Sequence, residues 1–496
     1  MSTTTSTLPS EAEAFLAQGP FAAHIGGKAV TATDGATFQT RDPGTGEVIA
    51  EVAALGPAEI DQAVQAAQQA FDASGWADLS PSQRGAHLLR LADAIAERKD
   101  ILAHIESLDA GKILAQAQGD VQMFIDTMRF FVAIAEETPL EETITVAGNE
   151  AARAYLPWGP CGFILPWNFP VLLIGWNLSP ALAAGNTVVL KPAEDTPLSA
   201  LYIAQVAQEI GIPDGVINVV TGYGETAGKA LSGHPGLKHM AFTGSPEVGR
   251  LVAEACGRNL VPVKLELGGK GAAVVFDDVD IEATADALVG AITFHCGQVC
   301  CDATRWIIHE HIASRFLAAC RERMESIQVG HQLDSDSQMG PVVNEKQRAR
   351  VLGYLEKGTG EGAEAYLAGG EAPVAGKQGF YVKPALLRGS LDNIAAREEI
   401  FGPVAFCTTF SDEAEALRLV NSTDYGLANS VWTQDLDRAR RVARGMVAGN
   451  SWINAHNVFV HGVPYGGINK SGMGGGVLSK ETYLDYLRKL SIVRPL

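Results

Sequence analysis

The 496-residue chain carries 38 Lys and Arg against 57 Asp and Glu, a net charge of −19, with a pI near 5.0. That balance excludes nucleic acid or an anionic membrane as the main partner, because binding phosphate requires a basic face. With 47% apolar and 19% charged residues the chain can bury large cores and is not disordered, and its length corresponds to about three domains.

The first segment, 1–19, has no Arg and no long apolar run, so a flexible N-terminal tail is expected, neither a signal nor a transit peptide. Residues 56–135 follow a helical period, with Ile60, Val64, Ala67 and Phe71 on one face. No charge occurs from Ala154 to Leu190, yet five prolines and three asparagines interrupt this stretch. A spanning helix needs about 20 continuous apolar residues, so no membrane span is expected; a buried strand–loop–helix is. Short buried strands then recur: CGFIL from Cys161, TVVLK ending at Lys191, 216–221, 239–242 and 272–276. Between them Thr196-Pro197 reads as an N-cap with Pro at the first helical position, and Gly211 as the stop. Strands alternating with helices imply a doubly wound parallel sheet. After about residue 277 the alternation resumes with RWIIHE, a helix near 312–328, and the strands VAFCTTF, ANSVW and SWINAH, which imply a second α/β domain.

Seven cysteines, an odd number with no C-x-x-C pair, point away from a disulfide framework and from common zinc spacings. They imply a reducing, cytoplasmic compartment and a thiol kept for chemistry; no metal is expected.

Two glycine turns, Gly222-Tyr-Gly224-Glu-Thr-Ala-Gly228 and Gly244-Ser-Pro-Glu-Val-Gly249, follow predicted strands. Glycine there lets backbone N–H groups approach a pyrophosphate, or merely closes an α/β turn. Further on, Cys296, Cys300 and Cys301 surround Gly297 in FHCGQVCC. A cysteine is usually a small core hydrophobe, but a nucleophile would need a base and an oxyanion donor. Glu266, among apolar and Gly neighbours, suits a base of raised pKa, and Asn168, in the charge-free segment, offers an amide N–H.

Seven motifs then occur in order: Pro166-Trp167-Asn168-Phe169-Pro170, Lys191-Pro192-Ala193-Glu194, Phe242-Thr243-Gly244-Ser245, Glu266-Leu267-Gly268-Gly269-Lys270, Gly297-Gln298-Val299-Cys300, Glu399-Ile400-Phe401-Gly402-Pro403 and Pro464-Tyr465-Gly466-Gly467. With them the chain closely resembles the NAD(P)-dependent aldehyde dehydrogenase superfamily, over nearly its whole length from about residue 20.

The resemblance implies a Rossmann-like cofactor domain over 20–137 and 158–267 and a catalytic α/β domain over 268–470. A small β element over 138–157 and 471–496 would join subunits into a homodimer or homotetramer. Cys300 would attack the aldehyde, Asn168 and the Cys300 N–H would hold the oxyanion, and Glu266 would activate water against the thioester. The cofactor is implied to be NAD, with NADP disfavoured. It would be held by Trp167, Lys191, Glu194, Gly244, Ser245, Leu267, Glu399 and Phe401. Phe169, Leu173, Trp176, Val299, Cys301, Phe459 and Tyr465 would line an apolar or aromatic aldehyde tunnel, with His456 and His461 near its mouth. A CoA-acylating relative, or an idle binding protein on the same fold, are the alternatives. Two departures stand out: His295 where many members have Asn, and Gly475-Gly476-Val477 where a basic-acidic-glycine run is usual.

Overall fold

A computed structural model describes residues 7–496; residues 1–6 of the expected tail lie outside the described residues. The helical region resolves into four helices, Pro57–Ala73, Pro81–Glu97, Lys99–Ala110 and Leu114–Glu137. In the first, Ile60, Ala63, Val64 and Ala67 are buried, as their spacing requires.

Five parallel strands form the centre of an eight-stranded sheet, in the spatial order Ile217–Val219, Thr187–Lys191, Pro160–Ile164, His239–Gly244, Val263–Leu267. The chain winds outward from Pro160–Ile164 in one direction and then returns to wind in the other. A doubly wound sheet opens a crevice beyond the strand carboxyl ends at that reversal. Here those ends carry Leu165–Asn168 and Gly244–Ser245. A seven-stranded sheet follows, in the order Glu364–Leu367, Ala385–Arg388, Val404–Phe410, Arg305–His309, Ala272–Val275, Ala428–Trp432, Asn450–Ile453; all its pairs are parallel except the first. Ala272–Val275 and Arg305–His309 are buried throughout, which accounts for their continuous apolar runs.

Three expectations are corrected. The tail is not loose over its whole length: Ser10–Leu16 is helical, and Phe15 buries its ring 4.9 Å from Phe21 and 5.1 Å from Tyr202. A single apolar anchor on an existing core suffices to dock so short a helix. The β element expected from 471 starts later. Gly472–Met473 pairs antiparallel with Val263–Leu267 in the first sheet, and only Leu487–Pro495 joins Asn149–Pro157 and Glu141–Val146 in a three-stranded antiparallel sheet. Thr196 does not cap a helix; the helix is Leu198–Glu209, without a cap from its own N-terminal side chains. Its first N–H is instead taken by Asp109 from a distant helix.

Candidate active site

A cavity of about 1210 Å³ opens between the carboxyl edge of the first sheet and the loops that precede and follow the first strands of the second. Three segments deliver the reactive groups. Leu165–Phe169 leaves strand Pro160–Ile164, Glu266 ends strand Val263–Leu267, and the cysteine loop runs into strand Arg305–His309.

The cysteine loop has an unusual backbone. His295, Cys296 and Gly297 stand consecutively in the left-handed region at φ 45°, 55° and 69°. Asn, Asp and His are the non-glycine residues that tolerate this conformation best, so His in place of the common Asn satisfies the same backbone demand. Gly297 is required by contact as well, since a Cβ there would lie 2.3 Å from Gly402. Gln298 fixes the turn: its Nε2 donates to the His295 carbonyl at 3.0 Å, and its Oε1 accepts from the Val343 N–H at 2.9 Å.

Of the seven cysteines, all free, only Cys300 keeps partial exposure. Its sulfur lies 3.6 Å from the Tyr465 hydroxyl. The neighbouring Cys301 thiol, and then Tyr465, hold Cys300 below the ordinary thiol range against the opposing effect of burial. Cys301 is driven the other way, chiefly by burial, and stays a thiol 3.3 Å from Asn457 Oδ1. Of two adjacent sulfurs, one is therefore set up as a thiolate and the other is not.

Asn168 is buried and donates one amide N–H to the Gln298 carbonyl at 2.9 Å. An amide has two such hydrogens, so the second remains for an oxygen in the cavity that Asn168 lines. Glu266 is pushed well above the usual carboxylate range by burial, with the Cys300 charge adding to it. Its Oε2 has no protein partner among the described residues. A desolvated carboxylate with one oxygen unpartnered, the group otherwise accepting from the Gly467 backbone, has the character of a base.

The paired glycines of the Glu266 motif have separate reasons. A Cβ on Gly268 would strike the Glu399 carboxylate at 2.1 Å, and one on Gly269 the Cys300 carbonyl at 2.4 Å. The motif thus lets two functional segments approach strand Val263–Leu267 at once. Glu399 accepts the Gly269 N–H at 2.9 Å, and burial raises its pKa to about 7. Phe401, at φ 62°, meets Trp167 edge to face at 5.3 Å. Ser245 caps helix Pro246–Arg258 through its Oγ, and that helix opens on the cavity. Gly249 lets the helix close on the sheet, where a Cβ would sit 2.6 Å from Leu267 Cδ2.

Of the residues expected from sequence, Asn168, Glu266 and Cys300 line this cavity together. So do Trp167, Glu194, Gly244, Ser245, Leu267, Glu399 and Phe401, and Phe169, Leu173, Trp176, Val299, Phe459 and Tyr465. Trp176, Phe459 and Tyr465 form a cluster with centroids 5.1–5.5 Å apart. Two expected residues do not reach the wall. Cys301 is turned into the core, as its hydrogen bond to Asn457 shows. Lys191 is buried with Nζ on the Pro192 carbonyl at 2.9 Å and 3.5 Å from Glu194. The Gly222–Gly228 turn is also absent from the wall; Gly222 instead lets the chain pass Leu55. His456 lies behind the site with Nε2 at 2.9 Å from the Cys301 carbonyl, and His461 pairs with Thr127. Away from the cavity, Asp277, His309 and His311 bring ligand-type atoms within 4.8 Å of one another; His309 Nδ1 already accepts the His311 N–H at 3.3 Å.

Sequence reasoning missed the Tyr465 hydroxyl as a partner of Cys300, having placed that ring on the tunnel wall alone. It also missed Gln347 and Arg350, which donate to the Phe401 and Glu399 carbonyls and hold that segment. No local pattern distinguishes them from other polar residues of an exposed helix.

The aldehyde dehydrogenase family model matches residues 30–492. A phenylacetaldehyde dehydrogenase of Pseudomonas fluorescens is 40% identical over 459 residues, 91% of each chain. The mitochondrial benzaldehyde dehydrogenase of Antirrhinum majus is 38% identical over 93% of this chain and 87% of its own. Among solved structures, betaine aldehyde dehydrogenase of Staphylococcus aureus in complex with NAD+ superposes with a TM-score of 0.95 at 32% identity, covering 98% of this chain and 97% of that one. With the fold, the ordered motifs and a family match over nearly its whole length in agreement, the chain belongs to the aldehyde dehydrogenase family and is an NAD-dependent oxidoreductase of aldehydes.

Proposed function

We propose that the enzyme oxidises an apolar or aromatic aldehyde to its carboxylic acid through a covalent adduct on Cys300. The observation that carries this reading is the convergence on one partly exposed thiol of the Tyr465 hydroxyl, the second Asn168 amide N–H and the unpartnered Oε2 of Glu266. Cys300 attacks the carbonyl carbon, and the oxygen gains charge that the Asn168 amide and the Cys300 N–H stabilise. NAD, when bound, supplies the acceptor for the hydride whose loss turns this adduct into a thioester. Glu266 then takes a proton from water, which attacks the thioester and releases the acid and the Cys300 thiolate.

The cavity fits the cofactor. Helix Pro246–Arg258 presents its N-terminal end to the wall, suited to a pyrophosphate. Glu194 stands at one flank of the wall for a ribose, and Glu399, aimed by the Gly269 N–H, for the other. The substrate end has aromatic walls, with Glu266 its carboxylate, and two of the similar enzymes carry aryl aldehydes in their names. NADH release from benzaldehyde, phenylacetaldehyde, a short aliphatic aldehyde and betaine aldehyde, with and without CoA, tests the reading. Aryl aldehydes should give the highest kcat/KM and CoA should add nothing; CoA-dependent turnover, or betaine aldehyde as best substrate, would overturn it.

We also infer subunit pairing through the edge strand Leu487–Pro495, which exposes Leu490, Ile492 and Val493; Ile144 and Val146 are exposed on the opposite edge strand of the same three-stranded sheet. Sedimentation of the intact protein distinguishes a dimer or tetramer from a monomer. Seven free cysteines support a cytoplasmic, reducing setting, and no described helix is long and apolar enough to cross a membrane.

A further inference from the structure

Two helices begin immediately after loops that line the site, and neither caps itself. Helix Pro170–Ala183 follows Asn168-Phe169, helix Leu198–Glu209 follows Glu194-Asp195, and neither has a side-chain cap at its own N-terminus. Both starts are buried, so their first N–H groups need acceptors from elsewhere. A third helix, Lys99–Ala110, supplies them from two fully buried carboxyl groups one turn apart. Glu106 Oε1 accepts the Val171 N–H at 3.4 Å, while its Oε2 accepts the Ser199 hydroxyl at 2.8 Å. Asp109 Oδ2 accepts the Leu198 N–H at 2.9 Å.

Each carboxyl group has a second link to its loop. Lys112, wholly buried, pairs with Glu106 at 3.5 Å and with Asp120, and its Nζ lies 4.0 Å above the Phe169 ring, next to Asn168. On the other side the Thr40 hydroxyl stands 2.5 Å from Asp109 Oδ1 and 3.1 Å from the Asp195 carbonyl. Thr40 has one hydrogen and cannot donate it to both. A protonated Asp109 resolves this by donating to Thr40, which then donates to Asp195; burial, which raises Asp109 to about 8, favours that form. Glu106, Asp109, Lys112 and Thr40 are all buried behind the cavity wall and form no part of it.

We infer that Glu106 and Asp109 are positioning residues for the two halves of the site: Glu106 fixes the loop of Asn168 through the Val171 N–H and ties that helix start to the next through Ser199, while Asp109 fixes the loop of Glu194 through the Leu198 N–H. This rests on the roles given to Asn168 and Glu194 above.

The test separates chemistry from cofactor binding in the full-length enzyme. The pre-steady-state NADH burst at saturating NAD reports the first, and quenching of protein fluorescence by NAD reports the second. Glu106→Gln should slow the burst about tenfold or more, as small misplacements of reacting groups do, and leave the NAD Kd within about twofold. Asp109→Ala and Thr40→Val should raise the NAD Kd about fivefold, near the effect of a lost cap, with the saturated burst almost unchanged. Asp109→Asn, which keeps one donor and one acceptor, should restore tight NAD binding. If the alanine variant does not fold, Thr40→Val, of nearly the same shape, decides the point. Equal losses in burst and NAD affinity that track melting temperature would reduce both residues to general stability and overturn the inference, as would Asp109→Asn behaving like Asp109→Ala. Failure of the underlying roles shows separately, as an Asn168→Ala variant with a normal burst or a Glu194→Ala variant with unchanged NAD Kd.

Discussion

The hydroxyl of Tyr465 and the sulfur of Cys300 are 3.6 Å apart although 165 positions separate them in the chain. Burial holds the phenol well above its ordinary range, so Tyr465 remains a neutral donor at every working pH. A neutral donor stabilises the thiolate and not the thiol, and so lowers the Cys300 pKa. Tyr465→Phe removes that donor and should move the rising limb of the burst rate against pH toward higher pH. A limb that stays in place would show that Tyr465 contributes only to the tunnel wall.

The two adjacent thiols should behave oppositely. Cys300→Ala should abolish turnover. Cys301→Ala removes a buried thiol held above its ordinary range and should retain activity while loosening the packing around Asn457. Mass spectrometry of acyl-enzyme trapped with Glu266→Gln should locate the adduct on Cys300; an adduct on Cys301 would reverse the assignment.

In the proposed mechanism Glu266 acts only after the hydride has left. Glu266→Gln should therefore keep the NADH burst while lowering the steady-state rate by about 10²–10⁴-fold, the range for loss of a general base. Equal loss of both would place the carboxylate in forming the thiolate instead.

If Glu194 holds a ribose, as proposed, cofactor choice turns on it: Glu194 lines the cavity, while Lys191, 3.5 Å away, is buried outside its wall. A carboxylate there would accept ribose hydroxyls but repel a 2′-phosphate, and the lysine that could offset this is buried, with one of its three donors on the Pro192 carbonyl. NAD should be preferred over NADP by about tenfold or more, about 1.4 kcal/mol. Glu194→Gln should narrow that gap mainly by improving NADP use. Comparison of kcat/KM for both cofactors settles it, and a wild-type preference for NADP would reject the argument.

His295 offers a stability test. Its φ of 45° is tolerated by Asn and His but strains a β-branched residue. His295→Asn should fold and turn over near wild type. His295→Val should lose about 1–3 kcal/mol by the cost of the strained backbone, read from denaturant unfolding. A valine variant as stable as the asparagine one would show that the backbone there relaxes freely.

Composition, periodicity and ordered motifs were enough to determine the α/β architecture and the family, and to single out three residues that share one cavity. A parallel sheet reads as short apolar runs between helices, and Asn168, Glu266 and Cys300 each sit in a motif whose glycines, prolines and apolar neighbours are local. What the sequence could not show is which groups meet. Cys300 and Cys301 are chemically identical in the chain; only packing turns one toward the cavity and the other toward Asn457. Lys191 and the Gly222–Gly228 turn carry the right residue types, yet neither forms part of the cavity wall. The helices after Asn168 and Asp195 lack caps of their own, because Glu106 and Asp109 reach them across the fold. Local rules count only neighbours along the chain, and so assign Thr196 a cap that Asp109 provides instead. Hydrogen-bond satisfaction in a buried core depends on proximity in space, and that is decided by tertiary structure.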